Sequence, residues 1–307
     1  MVSGRFAPSP TGDLHLGNLR TALLAWLFAR STGSSFVIRM EDLDRVTSSP
    51  DHEAHQLRDL AALGIDWDGE VVRQSERFDR YRDALGRLEE SGRTYRCWCT
   101  RREIQEAASA PHGPGAEGHY PGTCRDLDRT EVETLLTSGR RFAVRLRREL
   151  DEIAFDDDVL GPQRWPVDDI VLCRNDGVPA YNLAVVVDDA AQAIDLVVRG
   201  ADLLSITSSQ LHLASLLELP LPRHAHVPMM LNEHGQRLSK RDGAVTLSDL
   251  ATLGHDTSDV LSFLARSVGL LPEATTARTA AELLAAFSPE DLPAEPTTLS
   301  RATLTTL

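Results

Sequence analysis

No stretch of about 18 uninterrupted apolar residues occurs in the sequence, which excludes a helical membrane span. The N-terminus, Met-Val-Ser-Gly-Arg-Phe-Ala-Pro, lacks a basic segment followed by an apolar run. It therefore does not read as a secretory signal, and a cytoplasmic protein is expected. Cysteine is scarce: Cys97, Cys99, Cys124 and Cys173 are the four in 307 residues. So few thiols in a cytoplasmic chain point to metal or core roles rather than disulfides. Positive charge is also short. A formal net charge of −14 argues against a non-specific nucleic-acid binder, whose phosphate contacts need clustered Lys and Arg. Internal repeats and low-complexity tracts are absent.

What is present is ordinary globular material, 42% hydrophobic and 25% charged, with length for one large domain or two moderate ones. Gly4 to Pro8 reads as a short strand, followed by a turn over residues 11–18. Leu19, Leu23, Trp26 and Leu27 recur at helical spacing, so Leu19–Arg30 is a helix. Phe36–Met40 is a strand, and His52–Leu63 and Arg77–Glu90 are helices. This alternation predicts a parallel sheet with crossover helices. From Thr94 to Pro166 the pattern changes. Tyr95–Cys99 and Arg141–Arg147 read as strands around a Gly- and Pro-rich loop, Pro111–Gly122. This region reads as an insertion. The α/β pattern resumes with Ile170–Cys173 and Leu183–Val187, read as strands like Leu196–Gly200 after them. Leu203–Leu217 is a helix, and the strand His226–Leu231 feeds a polar loop, Asn232–Asp242. Helices are predicted over Leu247–Leu253, Asp259–Val268 and Thr279–Phe287. The expected division is 1–93 and 167–244 for the two halves of an α/β domain, 94–166 for the insertion and 245–307 for a helical tail.

Two distant elements carry chemistry. His15-Leu16-Gly17-Asn18 sits where a turn enters a helix. A helix N-terminus offers unpaired N–H groups and positive dipole to a phosphate, and Gly17 would let a nucleotide approach the backbone. Alone, it would read first as a helix start with an incidental histidine. Arg237-Leu238-Ser239-Lys240-Arg241 lies on a loop between Gly235 and Gly243. Lys240 there can reach charge developing on a leaving pyrophosphate; alone it would be a solvated pair of cations. The densest basic cluster, Arg140, Arg141, Arg145, Arg147 and Arg148, reads equally as a solvated strand edge or an RNA contact.

Taken together, the two elements resemble the HIGH and KMSKS signatures of class I aminoacyl-tRNA synthetases. Gly4-Arg5-Phe6-Ala7-Pro8-Ser9-Pro10-Thr11-Gly12 resembles the opening of the glutamyl-tRNA synthetase family. So do Arg39-Met40-Glu41-Asp42-Leu43-Asp44, the run from Tyr181 to Asp189, and Val198-Arg199-Gly200-Ala201-Asp202, all in family order. Asn18 replaces the last His of HIGH, and Leu238 replaces the Met of KMSKS. The resemblance implies a Rossmann-like α/β catalytic domain with an inserted zinc-binding subdomain and a short helical tail. It implies activation of L-glutamate by ATP, with Mg2+, to a glutamyl-adenylate. His15 and Lys240 would be catalytic, and His15, Gly17, Asn18 and Lys240 would hold ATP. The glutamate pocket would comprise Arg5, Phe6, Ala7, Pro8, Ser9, Glu41, Tyr181 and Arg199. Arginines suit the two carboxylates of glutamate, and Glu41 suits its ammonium.

The chain stops soon after the KMSKS-like loop, with no room for the anticodon-binding region of longer family members. The short branch of the family transfers glutamate to queuosine in the anticodon of tRNA(Asp), and that is the expected partner of an expected monomer. The alternatives are a truncated enzyme charging the 3′ end of tRNA(Glu), a silent tRNA-binding paralogue and, remotely, a nucleotidylyltransferase. Cys97, Cys99 and Cys124 offer three soft ligands, and zinc takes four. His112 and His119 are the fourth candidates from the residues alone; the family pattern implies Tyr120, completing one structural Zn2+ site. Cys173 is expected in the core.

Overall fold

The computed structural model describes residues 3–100, 102–104, 119–236, 238 and 245–300. It opens with β1 (Ser3–Phe6), α1 (Leu16–Ser31), β2 (Ser35–Met40), α2 (Pro50–Ala62), β3 (Val72–Arg73) and α3 (Phe78–Glu90). Then come β4 (Thr94–Cys97), α4 (Arg129–Thr137), β5 (Ala143–Leu146), β6 (Glu152–Asp157), β7 (Gly161–Pro166) and β8 (Val171–Cys173). The remainder holds α5 (Tyr181–Ala191), β9 (Leu196–Gly200), α6 (Thr207–Leu216), β10 (Arg223–Val227), β11 (Met230–Asn232), α7 (Leu247–Thr252), α8 (Thr257–Arg266) and β12 (Thr297–Leu299).

A parallel sheet organises these elements. β1 pairs with β2 from Ser3–Ser35 to Phe6–Ile38, and β2 pairs with β3. β9 pairs with β10 from Leu196–Arg223 to Gly200–Val227, and β10 meets β6 at His224–Asp157. β9 lies beside β1, where the Asp195 N–H donates to the Ser3 carbonyl at 3.0 Å. The order is therefore β3-β2-β1-β9-β10-β6, with β7 folded back antiparallel on β6. Helix α1 is buried nearly all round, from Leu16 through Ala29, because it lies between this sheet and α8. In such sheets ligands bind beyond the carboxyl ends of the strands. Here the ends of β1, β2 and β9 carry Arg5, Glu41 and Arg199.

Several sequence expectations change. Leu183–Val187 is the middle of helix α5, not a strand. A short apolar run fits either period, and Leu183, Ala184 and Val185 are all buried against α3 and α6. Ile170–Cys173 gives β8, which runs antiparallel to β5 and so extends the β4-β5-β8 sheet instead of the parallel one. The strand expected over His226–Leu231 is broken at Pro228, which has no N–H for a ladder, giving β10 and β11. Thr279–Phe287 forms only a 3-10 turn at Ala280–Leu283, whose buried ends at i and i+3 need no full helix to face inward. Beyond its helices, the C-terminal segment contributes β12, paired in parallel with β11. Arg20, 1% exposed, pins this arrangement by donating to Pro228 O (2.7 Å) and Thr297 Oγ1 (2.8 Å). Cys173 is half-buried rather than in the core.

Candidate active site

The turn into α1 is built by its own side chains. His15 is the N-cap, and its Nδ1 accepts from the Gly17 and Asn18 N–H groups at 3.1 and 3.3 Å. Asn18 Oδ1 accepts the His15 N–H at 3.3 Å, closing a capping box. Asn18 thus has a structural reason to stand in the fourth position of the motif. With Nδ1 accepting, the proton of a neutral His15 ring resides on Nε2. A Cβ at Gly17 would stand 3.0 Å from His15 Cε1, so the residue keeps room for the capping imidazole. The Leu16 N–H donates to Val245 O at 3.1 Å, which brings the chain back to this turn after the polar loop.

The carboxylate-binding side rests on buried arginines. Arg5, 4% exposed, donates through Nε to Asp189 Oδ1 (3.1 Å) and through Nη1 to Val198 O (3.2 Å). A guanidinium has five N–H groups, so three remain for a ligand. Arg199 is more committed. Its Nε donates to His226 Nε2 (3.1 Å), Nη1 to Gln210 Oε1 (2.7 Å), and Nη2 to Thr207 Oγ1 (2.8 Å). His226 is itself oriented by Asp157, whose Oδ2 lies 2.6 Å from Nδ1. Burial pushes the His226 ring below its usual pKa, against the pull of Asp157. A neutral ring with Nδ1–H toward Asp157 leaves Nε2 to accept from Arg199.

Glu41 lies at the end of β2, and its backbone N–H donates to Pro8 O at 2.9 Å. Its carboxyl is pushed up to about 7 by burial, against the lowering influence of Arg39 and Arg5. Burial also raises the Tyr181 phenol. Beneath both, Asp188 and Asp189 at the end of α5 gather cations. Asp189 Oδ1 takes Arg39 Nη1 at 2.8 Å as well as Arg5, and Asp188 takes Arg77 Nε at 2.6 Å and the Tyr81 hydroxyl at 2.7 Å. Burial would raise the Asp189 carboxyl, yet Arg5 and Arg39 hold it below the usual range. Sequence reading gave no role to Arg39, Asp157, Asp188 or His226. A charged residue inside the apolar strand Phe36–Met40 was the available signal for Arg39.

One cavity of about 790 Å³ joins the two sides. Arg5, Phe6, Ala7, Pro8, Ser9, His15, Gly17, Asn18, Glu41, Tyr181 and Arg199 all line it, as does Leu238. Lys240 lies outside the described residues; Leu238 and Val245, on either side of it, border the site. Gly200 also lines the cavity, and a Cβ there would lie 2.5 Å from Asp202 Oδ1 and 3.0 Å from Met229 Sδ. A second cavity of about 930 Å³ shares Ser9, Thr11, Glu41 and Tyr181 with the first and is walled by Arg140, Arg141, Arg145 and Arg174.

Residues 1–305 match the family described as tRNA synthetases class I (E and Q), catalytic domain. A Nocardia farcinica protein named Glutamyl-Q tRNA(Asp) synthetase is 58% identical over 294 residues, covering 96% of this chain and 92% of its own length. A Symbiobacterium thermophilum protein of the same name is 44% identical, covering 100% of this chain and 98% of itself. The chain belongs to the glutamyl-Q tRNA(Asp) synthetase family. It is a ligase of the aminoacyl-tRNA synthetase type. A crystallised glutamate tRNA ligase of Elizabethkingia meningosepticum, in complex with its amino acid, superposes with a TM-score of 0.80 at 26% identity. The superposition covers 99% of this chain and 68% of that one. A Glutamate--tRNA ligase of Aquifex aeolicus is 41% identical, but the match takes in only 56% of its length.

In this glutamyl-Q synthetase family member the insertion brings its cysteines together. The Cys97, Cys99 and Cys124 sulfurs lie within 4.8 Å of one another, and Cys99 and Cys124 are 3.5 Å apart. Tyr120 Oη is 3.3 Å from Cys97 Sγ and 3.6 Å from Cys99 Sγ, and it accepts the Cys124 N–H at 2.8 Å. His119 instead faces Asp168 at 4.0 Å, and His112 lies outside the described residues. Tetrahedral Zn–S bonds of about 2.3 Å place sulfurs a little under 4 Å apart, so the cluster fits such an ion. The Arg145 guanidinium lies 3.8 Å from the Tyr120 ring centroid, and its hydrogen bond helps lower the Cys97 thiol. The Cys97 thiol is pulled down to about 4, chiefly by its hydrogen bond with Cys124, while Cys124 is pushed up by the same bond. Of the five clustered arginines, Arg145 and Arg147 are spent internally, on Asp169 O (2.7 Å) and Arg125 O (2.6 Å), and Arg148 pairs with Asp151. Arg140 donates through Nη2 to Trp98 O (3.0 Å), and both it and Arg141 are exposed on the wall of the second cavity.

Proposed function

We propose that this enzyme condenses L-glutamate with ATP to glutamyl-adenylate without tRNA, then passes the glutamyl group to queuosine in the anticodon of tRNA(Asp). The observation that carries the first half is the single cavity in which Arg5, Arg199, Glu41 and Tyr181 meet the His15 turn. The second half rests on the names of the relatives that match nearly end to end. Arg5 and Arg199 bind the glutamate carboxylates, Glu41 takes the ammonium, and Ser9 and Tyr181 complete the pocket. Phe6, Ala7 and Pro8 form its floor. The reacting carboxylate oxygen bonds to the α-phosphorus of ATP as the bond to pyrophosphate breaks. The Nε2–H of His15 meets the phosphates, while Gly17 gives them and the imidazole room and Asn18 closes the turn that orients His15, and Lys240 stabilises the leaving pyrophosphate. Mg2+, when bound with ATP, neutralises phosphate charge. The protein positions reactants and needs no covalent nucleophile of its own.

Lys240 is the only lysine in the chain. An amine-directed affinity label carried by an ATP analogue will therefore mark one side chain, and ATP will protect it. Peptide mass spectrometry showing no label on Lys240 would remove it from the ATP site.

The second cavity adjoins the glutamate pocket and carries exposed arginines, so it suits entry of an RNA nucleoside despite the acidic whole. Arg141→Ala will leave ATP–pyrophosphate exchange unchanged. It will weaken glutamyl transfer about tenfold at moderate salt and reduce the salt slope of RNA binding by about 1. Unchanged transfer would move RNA entry elsewhere.

Cys97, Cys99, Tyr120 and Cys124 would hold one structural Zn2+ that pins β4 to the segment before α4. Elemental analysis will find one zinc per chain. Cys124→Ser will lose it and speed hydrogen exchange in β4 and β5, leaving β1 and α1 protected; retained zinc in that variant would disprove the ligand set.

The whole reading is tested with ATP, labelled glutamate and bulk tRNA from queuosine-containing and queuosine-free cells. Digestion and mass spectrometry should place the label on the queuosine nucleoside of tRNA(Asp), with none on queuosine-free RNA. Label on the terminal adenosine of tRNA(Glu) would make this a minimal 3′-charging enzyme. Absence of glutamate-dependent ATP–pyrophosphate exchange would make it a silent tRNA-binding paralogue.

A further inference from the structure

A second set of metal-capable side chains lies away from the cysteines. Helix α2 begins behind the Ser49 cap and carries His52 and His55 in its first turns. Three residues apart, they share one face of the helix. Both rings direct Nδ1 at one atom, Asp13 Oδ1, at 3.0 Å each. Asp13 belongs to the turn before α1, 39 and 42 residues away from them in sequence yet directly opposite. The three ligand atoms lie within 4.8 Å of one another.

This convergence is held by bonds that do not involve the three residues. Gln56, 1% exposed, sits on α2 beside His55 and donates to Ser9 O (3.0 Å) and Gly12 O (2.6 Å). The Ser49 N–H donates to Pro10 O at 2.9 Å. The helix and the turn are thus fixed at the spacing that aims the rings at the carboxylate. The side chains themselves are 39%, 43% and 35% exposed, so an ion can reach them from solvent. Asp59, further along α2, adds negative charge close to Asp13, and Arg58 is the neighbouring cation.

We propose that Asp13, His52 and His55 form a second metal site, which takes a first-row transition-metal ion of the Zn2+ and Co2+ class. Two imidazoles and one carboxylate suit such ions, whereas Mg2+ and Ca2+ prefer all-oxygen shells. On binding, each neutral ring carries its proton on Nε2 and offers the Nδ1 lone pair, so the two present hydrogen bonds give way to coordination. Three protein ligands leave an outer position for water. Asp13 lines the same cavity as His15, so the ion would tie α2 to the turn that caps α1.

The test uses the full chain with its cysteine cluster filled by one equivalent of Zn2+, titrated with Co2+ in a calorimeter. The expected result is uptake of one further ion per chain, with a raised melting temperature and weak visible bands lacking thiolate charge transfer. His52→Ala/His55→Ala, and separately Asp13→Asn, should bind at least tenfold more weakly, while the metal-free melting temperature of the histidine variant stays near the parent's because both rings are on the surface. Equal uptake by these variants, thiolate bands showing Co2+ among the cysteines, or no uptake by the parent up to about 1 mM would each overturn the site.

Discussion

Arg5→Gln will lower kcat/KM for glutamate in ATP–pyrophosphate exchange by about a thousandfold, equivalent to ~4 kcal/mol, while ATP binding is retained. The basis is the distribution of donors. Arg5 commits two N–H groups to Asp189 and Val198 and presents the rest to the cavity, whereas Arg199 is engaged by His226, Gln210, Thr207 and Leu203 O at 3.4 Å. Arg5 is therefore the better placed to grip a carboxylate with two parallel bonds, a geometry that glutamine cannot copy. The fold should survive, because Asp189 keeps Arg39 at 2.8 Å when Arg5 is lost. Far-UV circular dichroism and ATP titration separate a lost ligand contact from a lost fold. A folded Arg5→Gln enzyme with near-parental kcat/KM would remove Arg5 from the glutamate site.

The different commitments of the two arginines show what sequence could and could not supply. Arg5 and Arg199 stand at strand ends, where from the residues alone they read as surface arginines; the family resemblance is what assigned them to the ligand-binding edge. Neither source supplied their partners. Arg39 meets Asp189 across 150 positions, and His226 meets Asp157 across 69. No periodicity within one element carries that information. Asp188 and Asp189 were visible as a pair ending an apolar run. That run fits a strand and a helix equally well, and only packing against α3 and α6 chose the helix that directs both carboxylates inward. The His15 turn was legible as the start of a helix, with a phosphate role that only the resemblance implied, while the role of Asn18 as the closing residue of a capping box needed the observed hydrogen bond. The convergence of Cys97, Cys99 and Cys124 was foreshadowed by the thiols alone, but choosing Tyr120 over His119 required either family likeness or geometry.

Glutamate activation will weaken as pH falls through about 7, and Glu41 will be the reason. Its carboxyl is raised to about 7, first by burial and then by Asp189 and Asp188, with Arg39 and Arg5 opposing. The ammonium of glutamate requires the ionised form. Below this pH each unit removes about tenfold of the ionised free enzyme, so kcat/KM approaches a slope of one decade per unit. The value of kcat at saturating glutamate will change less, because a bound ammonium keeps Glu41 ionised. Glu41→Gln will flatten this limb and lower kcat/KM at pH 8 by about a hundredfold, the effect of one charge-assisted contact. Stability supplies an independent sign. A carboxyl whose folded pKa lies above its unfolded value of 4.5 opposes folding when ionised. That penalty is absent below about pH 4.5, grows up to about 7 and then levels at roughly 3–4 kcal/mol. Glu41→Gln should therefore melt higher than the parent at pH 8 and almost together with it at pH 4.5. A variant that loses activity yet keeps the parental pH slope, or gains no stability at pH 8, would show that Glu41 does not carry the titration.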